Sequence, residues 1–270
     1  MKNKKIIIPS VLVVVVILVA SVAFAALKNG NSTGIATDST PVSTPRPKVN
    51  LIDIKDRPYV TLQPLQERNT LQLSVQNLPK KAKNVEILLE YDRNKGILDA
   101  VLKSFVLDKI PYADKLFLGS KSAGGATTYH DDVTGGHITL TFSGGDEQYS
   151  LQVPWRYDDT QPHYTQLATS DLKFQLLLDT PFRTPKVLVM ESPGLPAQIE
   201  GKVISGPFLV RGVGPLPDIQ AKLSIRLDEP SESAKLYGFN GQKWQQLEAT
   251  MDNRTLSASV PLVETYVVIE

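Results

Sequence analysis

The stretch KLYGFNGQKWQQL, residues 235–247, decides the fold class. On either side of Asn240-Gly241, residues 235–239 and 243–247 mix apolar with polar side chains, as half-buried strands do. Asn-Gly between two such runs is the strongest short hairpin signal, because a type I′ turn needs positive φ at both central positions. The stretch therefore predicts antiparallel β-structure, with Trp244 expected in its core.

Working outward, residues 255–260 and 265–269 read as strands that complete this sheet. Upstream, 172–178, 187–190, 198–204, 208–213 and 222–227 are also strand-like, punctuated by Pro and Gly. Earlier still, Val60 and Leu62, then Leu71, Leu73 and Val75, alternate with polar residues, and 84–91 (NVEILLEY) continues the pattern. Ile138, Leu140 and Phe142 make one further apolar face, and Tyr149, Leu151 and Val153 make another. Turn signals fall at Asn77-Leu78-Pro79, Asn94-Lys95-Gly96, Gly124-Gly125, Gly135-Gly136 and Gly144-Gly145. The last two glycine pairs lie at sandwich spacing rather than the spacing of βαβ units. One segment stays open: Ile97, Leu98, Val101, Leu102, Phe105 and Val106 fit an amphipathic helix taken alone and a strand by context.

A polar bridge near 157–166 divides this β-rich chain. The fold expected is all-β, with two tandem β-sandwich domains of immunoglobulin-like type at 51–160 and 161–270. Ahead of them, Lys2, Lys4 and Lys5 precede an apolar run at 6–27 that only Pro9 and Ser10 interrupt. A helix over that run is about 33 Å long, enough to cross a hydrocarbon core of about 30 Å. Residues 1–27 thus read as a signal anchor or transmembrane helix, with a cytoplasmic N-terminus and an extracytoplasmic bulk. Ala23-Phe24-Ala25 is also a small-x-small cleavage pattern, and cutting after Ala25 would release a secreted protein instead. No cysteine follows the run, which excludes lipoprotein attachment. Residues 28–50 are rich in Ser, Thr, Pro and Asn with almost nothing to bury, and are expected to form a disordered stalk. As a flexible coil such a stalk spans about 27 Å, and about 70 Å when extended.

Composition narrows the partners. The chain holds 29 basic and 28 acidic residues; residues 1–27 carry three lysines and no acid, so the exported part has 26 against 28, a net −2. That balance argues against nucleic acid, which needs clustered positive charge. Cysteine is absent, so both domains are expected to stand on their cores rather than on disulfides.

The run from Lys235 to Trp244, then Leu247, Leu256 and 264–269 (ETYVVI), resembles the closing strands of immunoglobulin-like modules in bacterial surface proteins. Residues 57–62 (RPYVTL) through Trp155 look like uncharacterised anchored envelope proteins of small bacteria. The points of likeness there are Leu118-Gly-Ser, Tyr129-His130 and 133–136 (VTGG). These resemblances imply a fold and an envelope location, and they carry over no catalytic residue.

Two constellations could carry chemistry. TYHDDVTGGH, residues 128–137, places His130, Asp131, Asp132 and His137 within eight residues, where a Gly-Gly turn could bring both imidazoles together around a divalent metal. Asp131 and Asp132 alone would suit Ca²⁺, and the bland reading is a polar hairpin with capped turns. Trp155, Tyr157 and Tyr164 cluster near the expected domain boundary, where exposed rings could stack on sugars or buried ones could pack two domains together. No Ser sits in a Gly-x-Ser-x-Gly elbow. No enzyme activity and no cofactor are expected. The function expected is adhesion, envelope scaffolding or partner binding. The partners expected are the membrane, through residues 6–27, and an envelope glycan or protein. A glycan- or calcium-binding accessory module, or an exported subunit of an envelope enzyme complex, is the alternative.

Overall fold

Antiparallel pairing builds every sheet in the computed structural model, which describes residues 48–93 and 96–270. The expected membrane span at 6–27, the site after Ala25 and the stalk up to residue 47 lie outside those residues. Among the described residues no helix is long and apolar enough to cross a membrane. A short 3₁₀ turn, Ile54–Asp56, precedes the strands.

In chain order the first strands are β1 (Val60–Pro64), β2 (Thr70–Val75), β3 (Asn84–Arg93), β4 (Ile97–Val106) and β5 (Tyr112–Phe117). Then come β6 (Gly119–Lys121), β7 (Thr127–Tyr129), β8 (Val133–Ser143), β9 (Tyr149–Asp158) and β10 (His163–Ala168). Next are β11 (Phe174–Arg183), β12 (Val187–Glu191), β13 (Val203–Gly212) and β14 (Gln220–Arg226). The last are β15 (Lys235–Phe239), β16 (Trp244–Leu247), β17 (Thr250–Asp252), β18 (Thr255–Pro261) and β19 (Thr265–Ile269). They form a nine-stranded sheet in the order β16-β15-β19-β13-β12-β9-β8-β3-β4, a five-stranded sheet β10-β11-β14-β18-β17, a three-stranded sheet β1-β2-β5 and the ribbon β6-β7. The fold is all-β.

The two smaller sheets cover opposite faces of the large one. Successive side chains of a strand point to opposite faces. In β12, Leu188 and Met190 belong to a core shared with β1, β2, β3, β8 and β9, whereas Val187 and Val189 belong to a second core shared with β10, β11, β14 and β18. Likewise β13 gives Leu209 to the first core and Phe208 and Val210 to the second. Strands buried on both faces need unbroken apolar runs, and Val187-Leu-Val-Met190 and Tyr266-Val-Val-Ile269 supply them. At the β3–β8–β9 end only one face is covered, so alternation returns. β12 pairs with β9, Met190 opposite Trp155 and Leu188 opposite Tyr157, so one sheet crosses the expected boundary at residue 160 and the first core draws side chains from beyond it.

Several local expectations change. The ambiguous segment 96–107 contains a strand, β4, paired with β3 from Asn84–Val106 to Arg93–Ile97. A spacing of four preserves a helix face and, being even, a strand face too; Ile97, Val101 and Phe105 share one face of β4, and Leu98, Leu102 and Val106 the other. Gly135-Gly136 is not a turn but lies inside β8, beside a register shift at Asp92/Arg93. There the backbones crowd so closely that a Cβ would run into the carbonyl oxygens of Trp155 and Glu90, and Gly135 has φ of 129°. The 235–247 hairpin forms, but Phe239 pairs with Trp244 across a four-residue loop rather than a two-residue turn. Gly241 has a positive φ, while the Asn240 side chain accepts hydrogen bonds from the Gln242 and Lys243 N–H groups. Trp244 is not in the second core. It lies in a small satellite cluster with Leu195 and Val267, its Nε1–H donating to the Ala197 carbonyl at 3.0 Å.

Candidate functional site: an open sheet edge beside a braced polar corner

β4 ends the nine-stranded sheet, and its far side has no strand partner among the described residues. Its hydrogen-bonding phase follows from one bond: the Leu107 N–H donates to the Lys83 carbonyl, which makes 83 and 107 a hydrogen-bonded pair. Such pairs alternate with non-bonded ones along an antiparallel ladder. The backbone groups of Ile97, Asp99, Val101, Lys103 and Phe105 therefore face β3, and those of Leu98, Ala100, Leu102, Ser104 and Val106 face the open edge. The side chains of this second set are also the outward ones: Leu98 is 62% exposed, Leu102 66% and Val106 52%. Large apolar side chains and free backbone groups thus coincide on one strand.

Other sheet edges are blunted, as natural edges usually are. Among the described residues, β16 has four residues and β17 three, β10 carries a bulge between Tyr164 and Gln166, β1 ends in Pro64, and β5 holds Asp114 and Lys115 mid-strand. β4 runs ten residues without a proline or a register shift against β3.

The inner face of β4 is anchored. Val101 and Phe105 pack on the first core, and the Phe105 ring stacks on Tyr112 at 4.2 Å. Lys103 meets Asp114 at 2.6 Å. Burial alone would raise the Asp114 carboxyl, but bonds from Lys103 and from the Lys115 N–H hold it below the ordinary carboxylate range. Asp99 joins a polar corner: Arg93 lies 3.5 Å and His130 Nδ1 3.4 Å from its carboxylate. Arg93 also donates to Asp132 at 2.8 Å, and the Tyr91 hydroxyl meets His130 Nδ1 at 2.9 Å. Burial, with the nearby Asp99 charge, pushes the Tyr91 phenol up to about 12. Arg68 pairs with Asp131, holds that carboxyl below its ordinary range, and lies 4.4 Å over the Tyr129 ring.

The structure thus brings His130, Asp99 and Asp132 to one corner around Arg93, and turns Asp131 toward Arg68. It does not bring His137 to them. Because 135–136 is strand rather than turn, β8 carries His137 about 13 Å beyond Val133, opposite Glu90 and Pro154. Among the described residues no group of three or more His, Asp or Glu side chains is placed to hold a metal ion. Trp155, Tyr157 and Tyr164 are buried, the first two in the first core and Tyr164 in the second. Burial raises both tyrosines well above their ordinary range. Tyr164 donates to the Asp158 carbonyl at 2.9 Å, tying β10 to the end of β9.

Two open depressions lie elsewhere on the surface. A groove of about 880 Å³ on the outer face of the five-stranded sheet is lined by Gln166, Gln175, Leu177, Lys222, Ser224 and Thr250 among others. A cleft of about 740 Å³ holds Glu191, Lys173 and Asp228, and burial raises the Glu191 carboxyl above its ordinary range. Sequence reading missed the β4 edge because exposure of a strand end depends on sheet order. The legible signal was a ten-residue run with Asp99 and Lys103 as its only charges.

The chain matches no protein-family model, no curated protein and no solved structure.

Proposed function

We propose that this protein is a non-catalytic binding module, anchored by residues 6–27 and carried outside the membrane on the 28–50 stalk, that engages a protein by strand addition at β4. The observation that carries this reading is the coincidence on β4 of outward backbone groups with exposed Leu98, Leu102 and Val106. In strand addition the main chain supplies affinity and alternate side chains supply selectivity. The corner residues fit the same reading, since Arg93 and Asp99 brace the strand from its inner side. We read the two cores as the two immunoglobulin-like sandwiches expected from the sequence, joined through one sheet. A photo-cross-linking residue at position 102 of the full-length chain, in intact cells, should yield protein adducts, whereas one at Lys222 should not. Adducts from 222 alone would overturn strand addition. A glycan-binding role is the second reading, favoured by the amide- and hydroxyl-lined groove on the five-stranded sheet.

A further inference from the structure

We infer that the occupant of the β4 edge is the β4 edge of a second copy, paired antiparallel about a two-fold axis at Val101. This inference rests on the strand-addition reading above and names its partner.

The first support is the backbone phase. A new strand must bond to Leu98, Ala100, Leu102 and Ser104, whose N–H and C=O groups face outward. A two-fold at Val101 places Leu98 opposite the second copy's Ser104, and Ala100 opposite its Leu102. Each such pair joins outward groups to outward groups, so the ladder closes with donors facing acceptors.

The second support is charge. β4 reads Ile97-Leu-Asp99-Ala-Val101-Leu-Lys103-Ser-Phe105, with its one acid two residues before Val101 and its one base two residues after. The Val101 axis sets Asp99 opposite the second copy's Lys103, and Lys103 opposite its Asp99. These fall in non-hydrogen-bonded pairs, where side chains approach most closely, and opposite charges directly across a ladder are favourable. Ile97 then meets Phe105 across the joint, and Val101 meets itself. Neighbouring registers lose this match. An axis at Leu102 sets Asp99 against Phe105 and Lys103 against Val101. An axis at Ala100 sets Asp99 against Val101 and Lys103 against Ile97. Both charges already have partners within their own chain, Arg93 for Asp99 and Asp114 for Lys103, which hold them on the inner face of β4.

The third support is what the edge lacks. Bulge, proline and shortness blunt other edges of the described residues, whereas β4 carries only the inward charges Asp99 and Lys103, which the Val101 register pairs. A self-pair would join two nine-stranded sheets into one. Being isologous, it closes at two copies.

The chain contains no cysteine, so one introduced thiol is an unambiguous probe. Non-hydrogen-bonded antiparallel neighbours have Cα atoms about 4.5 Å apart, within disulfide reach. Full-length Val101→Cys, mildly oxidised in native membranes, should run at twice its mass until reduced, while Ala100→Cys and Leu102→Cys cross-link about tenfold less. Lys103→Asp should weaken self-association about tenfold or more, and adding Asp99→Lys should restore it by re-pairing the reversed charges. Because both reversals also oppose an in-chain partner, Arg93 or Asp114, circular dichroism first checks that each variant folds. Equal or better cross-linking at 102, or no recovery in a double reversal that circular dichroism shows to be folded, overturns the two-fold at Val101. If 101 fails to cross-link while the position-102 probe captures a different protein, self-pairing falls and strand addition stands. If 101 fails to cross-link and the 102 probe captures nothing, both fall.

Discussion

Replacing Ile225 by alanine should loosen Trp155, a residue of the other core. Ile225 is fully buried on β14, opposite Phe174 on β11 and Leu256 on β18, and it lies in the second core. Trp155 is 1% exposed and lies in the first. The link is β12: Met190 stands opposite Trp155 on one face, and Val187 and Val189 pack the second core from the other. A buried isoleucine cut to alanine loses its transfer free energy and leaves a cavity, a cost of about 2–5 kcal/mol. In a cooperative unit of about 150–250 residues each kcal/mol lowers Tm by about 2–4 °C, so a loss near 3 kcal/mol shifts it by about 6–12 °C. The chain has two tryptophans, so in a Trp244→Phe background fluorescence reports Trp155 alone. Thermal unfolding followed by that fluorescence should shift by the full amount and coincide with the transition seen by circular dichroism. If Trp155 keeps its original transition while circular dichroism splits in two, the cores fold separately and the shared-sheet reasoning is wrong.

Other expectations are more local. Gly136→Ala should cost about 2 kcal/mol or more, because its Cβ must displace the Glu90 carbonyl inside the β3–β8 ladder; urea titration measures it, and a loss below about 0.5 kcal/mol would contradict the close approach. Arg211 is 7% exposed and pairs at 3.0 Å with Glu264, whose side chain is 44% exposed. Glu264→Ala should therefore cost about 1–3 kcal/mol, less than a fully buried pair because water can partly replace the carboxylate. Glu191→Gln tests the buried carboxyl. Since folding raises its pKa, the native state holds that proton more tightly, and stability falls as pH rises from the ordinary carboxylate range through the raised one. The Gln variant lacks this fall, so its Tm should overtake the parent's between acid and neutral pH; parallel Tm curves would refute it.

Some of this was legible in residues alone. Alternation at Leu71, Leu73 and Val75, at 84–91 and at Ile138, Leu140 and Phe142 declared strands, because one covered face imposes period two. β5, β6, β7, β10 and β17 were not legible, being short or polar and made into strands by their neighbours. The polar corner was legible as a cluster but not as a geometry. Whether His130 and His137 meet depends on Gly135-Gly136, and a glycine pair reads alike as a turn or as room for a close backbone approach.

The sequence by itself determined that the body is all-β, that its C-terminal stretch folds back as a hairpin and that its stability owes nothing to disulfides. These follow from local periodicity, turn chemistry and composition, which are properties of neighbouring residues. Only the tertiary structure decided that one nine-stranded sheet serves both cores, and that among the described residues β4 rather than β16 leaves a long apolar edge without a strand partner. Strand order is a matter of which distant segments lie side by side, and the period of two along a strand says which face is covered without saying by what.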